Sequence, residues 1–128
     1  VKSGKALEIE GKKYYEGDIL KYKVHFILNE AENITDYSKA QMDKVIEILE
    51  KNPELDLHII AHADRSGNSE YNKVLSQRRA IAVKNYLLDH GVDENRLKGS
   101  WKGDKDPVID TKDPELRNRR VEFQIVKL

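Results

Sequence analysis

Residues 55–91 constrain the fold most, because they couple an apolar strand to a long helix whose apolar face carries an arginine. Leu55, Leu57, Ile59, Ile60 and Ala61 make a compact strand pattern, residues 66–68 form a turn, and the spacing predicts a helix over 69–89 closed by Gly91 in the left-handed cap position. Wound at ~100° per residue, Tyr71, Leu75, Ala82, Val83 and Tyr86 share one arc, and Arg79 falls near its centre. Arg78 lies at the edge of the arc, while Lys73, Gln77 and Lys84 occupy the solvated face. A charge placed as Arg79 is needs a partner, and Asp64 is the nearest in sequence. Two readings follow, and spacing alone does not separate them. In one, Asp64 and Arg79 form a structural ion pair, in which desolvation opposes the Coulomb gain. In the other they stand apart and grip a zwitterion, Asp64 taking an ammonium and Arg79 a carboxylate through its planar fork.

At 128 residues the chain is long enough for one core and too short for two. Its 23 basic and 23 acidic residues cancel, so the broad basic footprint of a nucleic-acid binder is missing. No apolar run approaches the ~20 residues that span a bilayer, so membrane attachment is expected only through regions upstream of this sequence. The chain opens at Val1 and reads as an excised part of something longer. With no cysteine, disulfides and thiolate chemistry are excluded, and either redox compartment is compatible.

Before the central unit, residues 6–10 and 13–15 read as two short strands in an N-terminal extension, residues 1–18. Residues 19–28 alternate Leu20, Tyr22, Val24 and Phe26 with Lys21, Lys23 and His25, which predicts a main strand of the sheet. Thr35 caps a helix that carries Met42, Val45, Ile46 and Leu49 on one face and stops before Pro53. A short strand at 96–101, an exposed loop over 104–114 and a closing strand with Val121, Phe123 and Ile125 complete the pattern. By alternation Arg119 joins the core face of that last strand, and Arg120 joins Glu122 and Gln124 on the other. The expected fold is α/β: a two-layer sandwich with a β-α-β-α-β-β core and a mixed sheet over 19–128, plus the extension.

Asp64, Gly67, Asn72, Leu75, Ser76, Arg79 and Ala80, followed by Asn118, Arg119, Arg120, Val121, Glu122 and Phe123, resemble the OmpA-like C-terminal domain family, which includes the OmpA, Pal and MotB peptidoglycan-binding modules. The resemblance runs over residues 24–125 and takes in Asn52-Pro53, Gly91-Val92, Arg96-Leu97 and the loop at 103–107. It implies non-covalent binding of peptidoglycan through the diaminopimelate of the stem peptide, in a periplasmic domain of a bacterial envelope protein associated with the outer membrane. In similar domains the residues matching Asp64 and Arg79 hold the amine and carboxylate at the free end of that residue. Asn72, Arg119 and the Leu28-Asn29 loop match further contact positions. The chain departs from the family pattern in Ala61-His62-Ala63-Asp64, where Gly-His-Thr-Asp is usual, in Phe26-Ile27 for Phe-Asp, and in Trp101 near a usual glycine.

Rival chemistries are thin. His58, His62 and Asp64 share strand parity, but no second cluster completes a metal site, and no cofactor is expected. Asp64, Glu70, Asp104 and Asp106 form no recognisable acid/base pair, and nucleophile and phosphate-loop signatures are absent, so the chain does not read as an enzyme. The substantive alternative is an interaction or dimerisation module of an envelope assembly with the same fold. Asn33-Ile34-Thr35 matches a glycosylation acceptor but reads as a capping loop; Trp101 to Lys105, an aromatic among basic residues, reads as a folded turn that could touch glycan or a partner.

Overall fold

The computed structural model describes residues 4–128. The first three residues of the expected N-terminal extension lie outside the described residues. The order is β1 (Leu7–Ile9), β2 (Lys12–Tyr14), β3 (Val24–His25), α1 (Asp36–Lys51), β4 (Asp56–Ala61), α2 (Ser69–Asp89), β5 (Leu97–Trp101) and β6 (Arg120–Lys127). β1 and β2 form a separate hairpin, and the other strands make one sheet in the order β3-β6-β4-β5. β5 runs parallel to β4 and β6 antiparallel to it, which gives the mixed two-layer α/β arrangement expected.

Local chemistry explains the elements. Thr35 caps α1 by accepting the Ser38 N–H at 3.2 Å, and the helix ends at Lys51. Met42, Val45, Ile46 and Leu49 turn inward as expected and meet Leu57, Ile59, Val121, Phe123 and Ile125 of the sheet. Burial of each such aliphatic side chain contributes about 1.5–3 kcal/mol. Gly91, with φ 91°, closes α2 where a side chain would be strained. Arg96 bridges the far end of the sheet from the loops described below: it donates to the carbonyls of Leu49, Asn52 and Leu55, at 2.9, 2.7 and 3.0 Å.

Two expectations need correction. The strand predicted over 19–28 shrinks to Val24–His25, although Leu20, Tyr22, Val24 and Phe26 are buried as the alternation demands. Leu20 N–H still donates to Phe123 O at 2.8 Å, but the chain bends at Lys21. After His25, arginine side chains take the carbonyls of Phe26 and Ile27, and the chain leaves the ladder. The buried face of α2 is also rotated from the expected arc. Arg79, Leu75 and Val83 are buried, but Tyr71 is 43% exposed, and Asn72, Ser76, Ala80 and Leu87 lie inside. The reason is polar packing: Asn72 donates to Asp104, and Ser76 Oγ accepts Gly103 N–H, so this face serves the loop after β5 as well as the sheet.

The extension shares the core through Leu7, Ile9 and Tyr14. Residues 17–20 then run along β6, with Gly17 N–H donating to Ile125 O at 2.7 Å and Ile125 N–H to Asp18 O at 2.9 Å. This covers part of the edge of β6 that β3 is too short to reach.

Candidate functional site

Because β3 and β4 both run antiparallel to β6, the C-terminal ends of β3 and β4 meet the N-terminal end of β6. Three segments therefore converge: the turn after β3, the residues after β4 and those before β6. Leu28 and Asn29, Asp64, and Arg119 belong to these segments, and α2 brings Asn72 and Arg79 alongside them.

Asp64 is 3% exposed, and hydrogen bonds occupy both of its carboxylate oxygens. Oδ1 accepts Ser66 N–H at 3.1 Å and Ser66 Oγ–H at 2.6 Å; Oδ2 accepts Glu115 N–H at 3.1 Å and Arg119 Nη1–H at 2.8 Å. An ionised carboxylate has about four acceptor positions, so Asp64 is saturated. Burial alone would raise its pKa. Hydrogen bonds from Ser66 and Arg119, and then from the Glu115 and Ser66 backbone, outweigh burial and hold the carboxyl below its ordinary value. Ser66 stands two residues on, a turn in which an aspartate bonds its own backbone. The Asp64-x-Ser66 spacing is the local mark of that turn, whereas nothing local marks the Glu115 N–H.

Arg79 is 0% exposed and no carboxylate touches it among the described residues. Its Nε–H donates to Glu30 O at 2.9 Å, Nη1 to His62 O at 3.1 Å and Nη2 to Ile27 O at 3.3 Å. Its guanidinium carbon lies 5.1 Å from the Phe26 ring centroid, a cation–π distance. Burial, then the neighbouring Arg119 charge, pulls its pKa down to about 10 against the opposing effect of Asp64, so it stays protonated at neutral pH. The structural ion pair between Asp64 and Arg79 is thus not formed: the two are not bonded to each other, and both are buried. The ion-pair partner of Asp64 is Arg119, 2.8 Å away.

Arg119 also donates from Nε to Phe26 O at 2.8 Å, which fixes the turn after β3 to the start of β6. Within that turn Glu30 N–H donates to Ile27 O at 3.0 Å, and Asn29 takes φ 63°. Leu28 and Asn29 are exposed at its tip. Asn72 is buried and donates to Ser66 O at 2.9 Å and Asp104 Oδ2 at 3.2 Å. The structure therefore gathers Asp64, Arg119, Arg79 and Asn72 around two loops, with Leu28 and Asn29 on the outside of one of them.

A second buried polar group is made by His62, Arg120 and Glu122. His62 Nε2 lies 3.2 Å from Glu122 Oε1, and Arg120 Nε 3.3 Å from Glu122 Oε2, on the sheet face away from the helices. Arg120 is covered because its Nη2 donates to Asp106 O at 3.1 Å, so the loop after β5 folds over it. Burial would raise Glu122, but hydrogen bonding from His62 and the charge and hydrogen bond of Arg120 bring it down to about 2. His58 bonds Ser100 Oγ instead at 2.8 Å, so His58, His62 and Asp64 each have separate partners.

The model of the OmpA family matches residues 29–120, more than two thirds of the chain and all the convergent elements except the end of β3 and the body of β6. The chain belongs to the OmpA family. This OmpA-family chain is 44% identical over 69 residues to outer membrane protein A of Bordetella avium, an alignment covering 52% of the chain and 36% of that relative. It superposes on the crystal structure of the peptidoglycan-associated lipoprotein from Burkholderia pseudomallei with a TM-score of 0.76 at 28% identity, covering 82% of this chain and 90% of that one. The C-terminal domain of Helicobacter pylori MotB gives a TM-score of 0.71 at 22% identity over 80% of this chain and 82% of that one, which shows the shared fold. The matched region spans well under two thirds of the length of the Bordetella relative. Relatives of this OmpA-family chain are thus envelope proteins rather than enzymes.

Proposed function

We propose that this domain binds peptidoglycan non-covalently through the diaminopimelate of the stem peptide, and so anchors a periplasmic part of a bacterial envelope protein to the cell wall. The observation that carries the reading is Arg79: a guanidinium shut away from water, touched by no carboxylate among the described residues and placed beside the Asp64–Arg119 pair. Three of its five N–H groups are used, on backbone carbonyls, and a ligand carboxylate supplies the missing anion. The ligand's ammonium takes the place of the Ser66 hydroxyl, which can rotate away from Oδ1, on an Asp64 carboxylate that is already ionised. Its relatives' peptidoglycan association supports the same ligand.

Entry requires a movement, since both charged groups are buried. The bond from Arg79 Nη2 to Ile27 O, 3.3 Å long, is the weakest of its three. Displacement of the Leu28-Asn29 turn frees that N–H for the ligand. Asn72 holds the Ser66 loop that shapes Asp64, and Arg119 holds Asp64 itself. Residues 1–18 are assigned as an extension to the 19–128 domain, and Gly17 and Asp18 at its end lie along the edge of β6.

Calorimetric titration with a muropeptide carrying meso-diaminopimelate tests this. Saturable binding is expected, weakened at least a hundredfold in folded Asp64→Ala and Arg79→Ala variants and with a lysine-type muropeptide. No binding by the parent chain would overturn it. One observation favours the interaction-module alternative: a groove of about 430 Å³ between the turn after β3, the start of α1 and Leu116, flanked by exposed Ile27, Tyr37 and Leu116. Self-association or capture of an envelope protein there, without muropeptide binding, would move the assignment to that reading.

A further inference from the structure

A groove of about 500 Å³ lies between the first turns of α2 and the loop after β5, and no residue assigned above to the stem peptide lines it. Its walls are Ser69, Glu70 and Lys73 on α2, Trp101 at the end of β5, and residues 102–106. Trp101 is the only tryptophan in the chain and is 39% exposed. A single exposed aromatic needs no explanation by itself; its surroundings give this one weight.

The first of these is charge. Lys73, Lys102 and Lys105 are matched by Glu70, Asp104 and Asp106, so the groove that Trp101 lines carries both donors and acceptors with no net formal charge. Such a lining suits neither a phosphate nor a polybasic chain. It suits a neutral ligand rich in hydroxyls and amides, with an apolar face to lay on the indole. A pyranose ring carrying an N-acetyl group has that chemistry: its axial C–H bonds form the apolar face and its substituents at the rim both donate and accept.

The second is rigidity. Lys102 N–H donates to Ala61 O at 2.9 Å, Ala63 N–H to Gly103 O at 2.8 Å and Gly103 N–H to Ser76 Oγ at 2.9 Å. Gly103 sits at φ 59°, where a Cβ would stand 3.2 Å from Lys73 Cα, so the loop is seated directly on the helix. The groove is formed before any ligand arrives, which lowers the ordering cost of binding.

The third is position. Asp104 Oδ2 accepts from Asn72, whose amide also donates to Ser66 O, and Ser66 bonds Asp64. Along α2, the six residues from Lys73 to Arg79 correspond to ~9 Å. An extended tripeptide spans ~10 Å, so a diamino acid held at Arg79 and a sugar two residues away along the stem reach the two places together.

We propose that this groove is a sugar subsite that takes an N-acetylated pyranose of the glycan strand on Trp101 while the Asp64–Arg79 site holds the stem peptide. The inference rests on the peptidoglycan reading above. Titration of the 128-residue chain, followed by Trp101 fluorescence and by calorimetry, tests it with two probes. One is the tripeptide ending in meso-diaminopimelate, and the other is the same tripeptide on an N-acetylglucosamine–N-acetylmuramic acid disaccharide. The disaccharide-tripeptide is expected to change the Trp101 emission and to bind about tenfold tighter, a difference of ~1.4 kcal/mol; the bare tripeptide leaves the emission unchanged. Trp101→Leu should reduce the affinity for the sugar-bearing probe to that of the tripeptide, with tripeptide binding intact. Lys105→Ala, at an exposed loop position, should remove part of the gain. Equal affinities with unchanged emission overturn the sugar subsite and leave stem-peptide binding standing, whereas binding of neither probe overturns both.

Discussion

Arg119 Nη1 donates to Asp64 Oδ2 at 2.8 Å, a bond that joins residues 55 apart in sequence and closes the loop after β4 against the start of β6. The same oxygen takes the Glu115 N–H, so one carboxylate holds two chain segments. Replacing Asp64 with asparagine keeps the shape, removes the charge and sets an NH₂ group against a donor. Breaking a buried pair in this way costs about 3–5 kcal/mol. Urea unfolding at neutral pH should show a loss of that size for Asp64→Asn, and a loss of less than about 1 kcal/mol would mean the pair is not structural.

Arg79 and Arg96 both clamp three backbone carbonyls, at opposite ends of the sheet. A lysine at either place keeps the charge and loses the planar fork. Both substitutions should destabilise the fold, since each carbonyl left without a donor costs about 1–3 kcal/mol. Only Arg79→Lys should also weaken muropeptide binding, by less than the ~2–5 kcal/mol that truncating one member of a charge pair costs, because the charge remains. Equal affinities of the two folded variants would remove Arg79 from the ligand site.

Glu122 provides an acid-sensitive brace. Its folded pKa, about 2, lies below the ordinary carboxylate value of 4.5, so its ionised form is favoured by folding. The stability it contributes is complete above about 4.5 and is lost as pH falls through about 2. Thermal unfolding from pH 6 to pH 2 should give a parent curve that drops over this window. Glu122→Gln should be less stable at pH 6 and should converge with the parent at the acid end. Parallel curves would show that Glu122 is not the group responsible.

Asn29 holds φ 63°, in the left-handed region that β-branched residues avoid. Asn29→Gly should leave stability within about 0.5 kcal/mol of the parent, while Asn29→Val should lose about 1–2 kcal/mol. The valine variant should bind muropeptide more weakly too, because the carbonyls of Ile27 and Glu30 on either side of this turn hold Arg79. Denaturation and titration of the same two proteins check both effects.

Much of the fold was legible because short-range patterns mark it. Thr35, the stop before Pro53, and Gly91 bound the helices where expected, since capping and ring sterics act within a few residues. The alternation of Leu20, Tyr22, Val24 and Phe26 marked the buried face correctly but overstated the strand. Alternation reports which side chains turn inward; whether each carbonyl meets a strand or an arginine depends on segments far along the chain. Tyr71 misled for a related reason: hydrophobicity placed it inside, and the hydrogen bonds of Asn72 and Ser76 to the loop after β5 turned it out.

The sequence by itself determined the architecture, the family and the residue types available to the site. Arg79 stands out in the sequence alone as a charge on an apolar helix face, because helical periodicity is a local property. Only the tertiary structure decided partnership. Asp64 went to Arg119 because antiparallel β6 brings its first residues beside the end of β4, and Arg79 was left to three carbonyls because the turn after β3 closes over α2 opposite His62 at the end of β4. Proximity in sequence favoured Asp64 and Arg79 as a pair; the free energy of a buried charge depends on what the folded chain places within a few ångströms of it, and strand order sets that.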